Sequence, residues 1–428
     1  MLAVSGLLCL ASVVSASRVL FVDSDSSASR YSQYTQSLRD AGHEVTVQTA
    51  QQAAATLRQD PLGFDNIVTF TTDIKSPPAE LAPQSLVNLL RNGVNILTAA
   101  STDVSEAWRD FVREFEIDFD DRGNSLIDHF EYDRKLDVDG KHTTIVVPLT
   151  SSPSPVVSPQ TKAGPPVLYR GIAHQIGRHP LLQNVLSAPV TSYSYDPLDT
   201  EALSEDAFVS GSSAGLVSVF QLKHNSARIA FAGSKDLFSD ELFDAAVSSA
   251  SGHIFAHSGN KAFVKDLTQW VFAETGRLTA SPLRHSRVSD GTTGDLYRVK
   301  EEIDVAIDFS ELRNGQWKPY VADDVQLELV MLDPHIRIDL VPSSSSTNST
   351  TYTARFNVPD RHGVFTFKVD YRRPGTTWIE RKEVVSIVPP RHDQYDRFIV
   401  GAAPFYVGAA SVSVATFIFL FLFMASSW

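Results

Sequence analysis

The chain is apolar at both ends and largely polar between them, and this constrains where it can fold. Residues 2–14 form a short hydrophobic run closed by Ser15, Ala16 and Ser17, small residues of the kind a signal peptidase cuts after. That run is too short to cross a bilayer. Residues 404–424 form a second apolar run without a charged side chain, and at about 1.5 Å per helical residue it reaches roughly 30 Å, one hydrocarbon thickness. The pattern predicts a signal peptide at 1–17 and a juxtamembrane segment with a transmembrane helix at 396–428, its span about 404–424. The body between them is then expected to face the secretory lumen or the cell exterior.

A body of about 380 residues exceeds what one hydrophobic core usually organises, so more than one domain is expected. The only cysteine is Cys9, inside the expected signal peptide. The mature chain therefore has no disulfide, no thiol nucleophile and no cysteine-ligated zinc site. A cysteine-free body is unusual for a cell-surface module and points toward residence in the endoplasmic reticulum. The net charge of −13 argues against a nucleic-acid partner, which needs a basic surface to release counterions.

Residues 18–276 read as alternating strand and helix. The run at 18–22 is apolar after Arg18 and ends at Asp23, a polar helix follows to Gly42, and strands recur at 45–47, 66–70 and 94–99. Helices are expected at 83–92 and at 104–115, where Trp108, Phe111 and Phe115 mark one buried face. After a Pro and Ser-rich stretch at 151–166, a strand is expected at 228–232, with helices at 237–250 and 261–274. Apolar strands separated by helices imply a parallel sheet covered on both faces. Beyond Gly276 the period changes to two, with alternating runs at 297–309, 326–332, 352–358, 364–371 and 384–388 separated by turn signals such as Asn314-Gly315. The expected fold is an α/β domain at 18–276, an antiparallel β-sandwich at 277–395 and one C-terminal transmembrane helix.

Several residue patterns suggest chemistry, each with a plainer alternative. Asp23-Ser24-Asp25 follows the first strand, where open α/β sheets place ligands, and could hold a metal and nucleotide sugar or supply an aspartyl nucleophile. The plainer reading is that residues 23–29 cap the following helix. Gly211-Ser-Ser-Ala-Gly215 fits G-x-S-x-G, with Asp236 and His253 in the chain order of a hydrolase triad, yet 216–220 alternates like a strand where a nucleophile elbow needs a helix. His253 and His257 lack an adjacent glutamate and read as a surface loop. Asp118, Asp120 and Asp121 read as a solvated loop without the calcium-loop pattern, and no phosphate-cradling glycine motif is present. Asn348-Ser349-Thr350 is a complete N-glycosylation acceptor. In the span, Ala409 with Ser413 and Ser411 with Ala415 are small residues four apart that would admit a second helix.

A resemblance carries the reading further. Gly363-Val-Phe-Thr-Phe-Lys-Val-Asp-Tyr371, Gln394-Tyr-Asp-Arg-Phe398 and Pro404-Phe-Tyr406 resemble the C-terminal signature of the 48 kDa (beta) subunit family of the oligosaccharyltransferase complex. Pro166-Val-Leu-Tyr-Arg-Gly171, Ser192-Tyr-Ser-Tyr195, Ala230-Phe-Ala-Gly-Ser234, Phe238-Ser-Asp240, Trp270-Val-Phe272, Asp324-Val-Gln-Leu-Glu328 and Asp333-Pro334 do the same, so the resemblance spans nearly the whole mature chain. It implies a single-pass type I protein of the endoplasmic reticulum membrane, in a complex that moves an oligosaccharide from dolichyl diphosphate to asparagine of N-x-Ser/Thr sequons in nascent chains. It further implies a flavodoxin-like, glutamine-amidotransferase-like α/β domain without its nucleophile. Catalysis would then belong to a multi-span partner subunit, leaving this chain with no catalytic residue, no metal and no cofactor, and with roles in complex assembly, stability and substrate presentation. The family usually carries a lysine-bearing tail after the span, whereas this sequence reads Ala425-Ser-Ser-Trp428. The rival reading is a self-sufficient luminal glycosyltransferase or phosphatase built on Asp23 and Asp25.

Overall fold

The apolar run that opens the body forms β1 (Arg18–Asp23), and Val19, Leu20, Phe21 and Val22 are all fully buried because both faces of the sheet are covered. The computed structural model describes residues 17–24, 28–198, 207–249, 252, 254–313, 315–395 and 399–426. The expected signal peptide up to residue 16, and Asp25, His253 and Asn314, lie outside the described residues.

The α/β part is built on β1, β2 (Glu44–Thr49), β3 (Asn66–Phe70), β4 (Asn95–Ala99), β5 (Ile117–Phe119), β6 (His174–Ile176), β7 (Leu182–Ser187), β8 (Gly215–Gln221) and β9 (Arg228–Ala232). These nine strands form one sheet in the order β2-β1-β3-β4-β9-β8-β6-β5, with β7 also paired to β8. Strands β2, β1, β3, β4 and β9 run parallel; β8, β7, β6 and β5 are joined antiparallel. The expectation of a parallel sheet holds for the first five of these strands and is corrected for the other four. The antiparallel half arises because the link from β8 to β9, residues 222–227, is a short turn with no room for the crossover helix that a parallel neighbour requires.

Helices α1 (Ser32–Asp40), α2 (Ala50–Gln59), α3 (Pro83–Arg91), α4 (Glu106–Arg113), α5 (Asp240–Asp244) and α6 (Asn260–Val271) flank this sheet. Tyr34 and Leu38 of α1 join Phe263, Leu267 and Trp270 of α6 over Phe21 and Phe70 on one face. Leu57 of α2, Leu86 and Leu90 of α3, and Trp108 and Phe111 of α4 cover Leu20, Val22 and Ile96 on the other. The helix expected at 237–250 breaks into a single turn at Asp236–Phe238, the short α5 and a strand at Val247–Ser248. Ser239 ends the first turn and caps α5 by accepting from the Leu242 amide, so an N-cap stands where the periodicity suggested a helix interior.

The β-rich part has two facing sheets. One holds β10 (Arg277–Ala280), β11 (Arg284–Arg287), β13 (Glu302–Arg313), β14 (Gln316–Pro319), β17 (Val341–Ser345) and β18 (Thr350–Asn357). The other runs β12 (Leu296–Arg298), β20 (Ile379–Val388), β19 (Gly363–Tyr371), β15 (Gln326–Met331), β16 (Asp333–Asp339). Alternate residues Ile303, Val305, Ile307 and Phe309 meet Leu327, Leu329, Phe365, Phe367 and Val369 in a separate core. The strand expected at 297–309 is divided. Lys300 has φ 64°, which bends the chain so that Tyr297 enters one sheet and Ile303 the other. β12 pairs parallel with β20, an exception to the expected antiparallel pattern.

Side chains lock the two parts together. Arg228, at the start of β9 and fully buried, donates to the carbonyls of Trp270, Thr275 and Gly276 at 2.6, 2.7 and 2.9 Å, and its guanidinium lies 4.4 Å from the Trp270 ring centre. Trp270 Nε1 donates across to Gly375 O at 2.8 Å, and the Gly375 amide returns to Gln183 Oε1 at 2.9 Å. Gly276 at φ 64° makes this approach possible, since a Cβ there would lie 2.1 Å from Gly375 O. Beyond β20 lies α7 (Ala403–Ser426), uncharged and without a buried residue.

Candidate functional site

The carboxyl ends of the parallel strands open into a cleft of about 600 Å³, where open α/β sheets hold their ligands. Asp23 ends β1, Asp73 follows β3, Asp103 follows β4, and Lys235 and Asp236 follow β9. These charges answer one another. Lys235 Nζ meets Asp73 Oδ1 at 2.9 Å, while Asp236 takes Arg30 Nη2 at 3.0 Å on one oxygen and Arg170 Nε at 2.8 Å on the other. Burial, followed by the nearby Asp23 carboxylate, pushes the Tyr31 hydroxyl well above its ordinary range, so it stays a neutral donor. Asp23 accepts the Ser24 amide at 2.8 Å.

Residues 25–27 of the expected cap at 23–29 lie outside the described residues; at the start of α1 itself the N-cap residue is Tyr31, which makes no side-chain cap bond. The first-turn groups of α1 are held by Asp240, which accepts from the Ser32 amide at 3.1 Å, the Gln33 amide at 2.9 Å and the Ser32 hydroxyl at 2.5 Å. A carboxylate from α5 thus sits on the positive end of α1. Nothing local in the sequence signals this, because the partners are more than 200 residues apart.

The G-x-S-x-G segment forms one tight turn at Gly211–Ser213 and then β8. Ser213 therefore precedes a strand, and its hydroxyl donates to Ser210 O at 2.6 Å. Asp236 is engaged by two arginines. A different Ser-His pair does exist: Ser218 Oγ lies 2.7 Å from His174 Nε2, with both residues fully buried. Burial drives His174 down to about 3, so the imidazole is neutral, and no reactant reaches a pair sealed inside the sheet. Sequence spacing gave no sign of it.

The acidic cluster is a solvated loop only at Asp121, which is exposed; Asp118 lies half-buried in β5, and Asp120 is held inside. Asp120 is buried and accepts from the Ser194 hydroxyl, from Asn124 Nδ2 at 3.0 Å and from the Asp121 amide at 2.7 Å. Asp118 pairs with Arg113 and Asp121 with Arg109. Among the described residues no group of three or more His, Asp or Glu side chains could hold a metal ion.

Asn348 is exposed at the tip of the β17–β18 hairpin, where the Ser346 amide donates to Ser349 O at 2.8 Å; Thr350, the third residue of its sequon, is buried at the start of β18. In α7 the hydroxyls of Ser411 and Ser413 turn back to the carbonyls of Gly408 and Ala409 at 2.9 and 2.8 Å, which leaves them and Ala415 as low points on an exposed helix. At about 1.5 Å per residue its 24 residues reach about 36 Å, longer than the hydrocarbon thickness.

The fold and its cleft define a class: an α/β unit whose ligand face is crossed by ion pairs, a β-sandwich locked to it, and a helix near the C-terminus long and apolar enough to cross a membrane. Comparison makes the assignment specific. The family model for the OST48 N-terminal domain matches residues 10–274, and that for the OST48 middle domain matches 285–427. The chain belongs to the OST48 family. It is 33% identical over 412 residues to the dolichyl-diphosphooligosaccharide–protein glycosyltransferase subunit wbp1 of Schizosaccharomyces pombe, covering 95% of this chain and 92% of that one. It is 32% identical to the 48 kDa subunits of the same enzyme from Arabidopsis thaliana, over 95% of this chain and 92% of the relative, and from Drosophila melanogaster, over 96% and 91%.

Proposed function

We propose that this chain is a non-catalytic subunit of an oligosaccharyltransferase complex in the endoplasmic reticulum membrane. The observation that carries the reading is its similarity, along some 95% of its length, to proteins named as subunits of that enzyme. The ion pairs across the cleft support an accessory role, because Asp73 and Asp236 are spent on Lys235, Arg30 and Arg170. The strand order β2-β1-β3-β4-β9 supports a flavodoxin-like ancestry for residues 18–276. Residues 277–395 act as a luminal sandwich, and residues 396–428 tether both to the membrane as a single-pass type I protein. Along α7 the low edge at Ala409, Ser411, Ser413 and Ala415 suits a helix of a neighbouring subunit, including the multi-span catalytic one. Asn348 is the glycan acceptor. The rival enzyme built on Asp23 and Asp25 has no support among the named relatives.

The test is purification of the tagged chain from native membranes in mild detergent, with an assay of transfer from lipid-linked oligosaccharide to an acceptor peptide. Recovery of a multi-span glycosyltransferase, with activity lost when that partner is removed, supports the subunit reading. A solitary chain that transfers by itself, and loses activity on Asp23→Asn, overturns it.

A further inference from the structure

A groove of about 760 Å³ runs between the α/β unit and the sandwich. The chain carries a net charge of −13, yet this groove is lined by four cations and one carboxylate. Lys223 and Arg228 come from the α/β side, Arg277 and Arg381 from the sandwich. Among the described residues neither Arg277 nor Arg381 has a carboxylate partner: Arg381 donates to Ala280 O at 2.9 Å and to Glu380 O at 3.2 Å, and Arg277 stands 5.8 Å from the Trp317 ring centre. Arg228 forms the floor, bound only to carbonyls, with its Nε lacking any hydrogen-bond partner. The single carboxylate, Glu380, serves both Lys223 and Lys382 at 2.9 Å.

Two further features describe the shape of what would fit. Trp317 and Trp378 supply flat apolar walls, Trp378 with Lys223 4.2 Å from its ring centre. Along Ile379–Arg381, where β20 lines the groove, its ladder partner is β19, and Arg381 donates to Glu380 O at 3.2 Å and to Ala280 O of β10 at 2.9 Å, which fixes its guanidinium on the groove wall. Cations on both walls match carboxylates spread along an extended chain better than one compact anion.

We propose that this interdomain groove binds an extended acidic peptide segment of a partner protein, its carboxylates on Lys223, Arg277 and Arg381 and its apolar side chains against Trp317 and Trp378. The proposal stands independently of the enzyme complex assigned above. The probe is fluorescein-labelled hexaglutamate, titrated by anisotropy against the full chain in detergent, with hexaglutamine as the neutral control. Lys223→Gln/Arg277→Gln is expected to weaken binding at least about tenfold, and raised salt to weaken it for the unmodified chain. Glu380→Gln, which removes the competing carboxylate, is expected to tighten binding several-fold, a gain that misfolding cannot mimic. Equal binding of hexaglutamine, an unaffected double variant, or no gain in Glu380→Gln would overturn the proposal. Displacement by inorganic pyrophosphate at concentrations well below those at which the peptide itself binds would also overturn it, and would mark a compact phosphate site instead.

Discussion

Replacing Arg228 with methionine tests the junction between the two folded parts. The side chain is fully buried, and its three bonds of 2.6–2.9 Å hold the carbonyls of Trp270, Thr275 and Gly276, which close α6 and begin the crossing to the sandwich. Burial, with Arg277 nearby, lowers its pKa to about 9, so it remains a cation near pH 7. That charge is balanced by the negative end of α6 and by the Trp270 ring. Methionine keeps much of the volume but leaves three acceptors bare, each worth roughly 1 kcal/mol, for a loss of about 3 kcal/mol. At about 2–4 °C per kcal/mol for a unit of this size, the melting temperature should fall by roughly 6–12 °C. Calorimetry of the full chain in detergent reads this, and limited proteolysis should show new cleavage around residues 275–277. Arg228→Lys, which keeps the charge but lacks the planar fork, should fall between. A methionine variant melting within about 2 °C of the parent would refute the idea that this guanidinium holds the junction.

Three other outcomes are expected. His174 is held near 3 when folded and titrates near its ordinary 6.5 when unfolded, so the unfolded chain binds the extra proton between those values. Its contribution is complete above pH 6.5 and is lost as pH falls toward 3 by up to about 1.4 kcal/mol per pH unit, a slope that His174→Gln should remove in denaturant titrations at pH 4 to 7. Asp240→Ala strips the cap from α1 and should cost about 1–2 kcal/mol by urea unfolding, whereas Asp244→Ala, whose exposed carboxylate accepts from the Gln33 side-chain amide, should cost less than about 0.5 kcal/mol. Asn348→Gln should abolish an endoglycosidase-sensitive gel shift while moving stability by less than about 0.5 kcal/mol, because the residue sits on an exposed hairpin tip; an unchanged glycan pattern would remove Asn348 as the acceptor.

Much of this molecule was legible before any contact was known. The unbroken apolar run at 19–22 and the uncharged stretch at 66–70 suit strands buried on both faces, and strict alternation at 364–371 places Phe365, Phe367 and Val369 on one side of a sheet. An uncharged run at 404–424 needs an apolar solvent, and a body without cysteine cannot perform thiol chemistry. These are local statements, and local periodicity carries them. The helix expected at 237–250 failed because Ser239 is a capping residue inside a helical period, and a period cannot tell a cap from an interior serine. Long-range partnerships were beyond reach for a simpler reason: an arginine's spacing in sequence says nothing of the carbonyls it will meet. Asp240 on α1, His174 against Ser218 and Arg228 under Trp270 each join residues 42 to more than 200 positions apart. The sequence alone determined most of the elements, the long apolar helix near the C-terminus and the family resemblance. The tertiary structure alone decided that the cleft is crossed by its own ion pairs while Arg277 and Arg381 of the interdomain groove have no carboxylate partner among the described residues, because charge pairing depends on distances that only the packed chain sets.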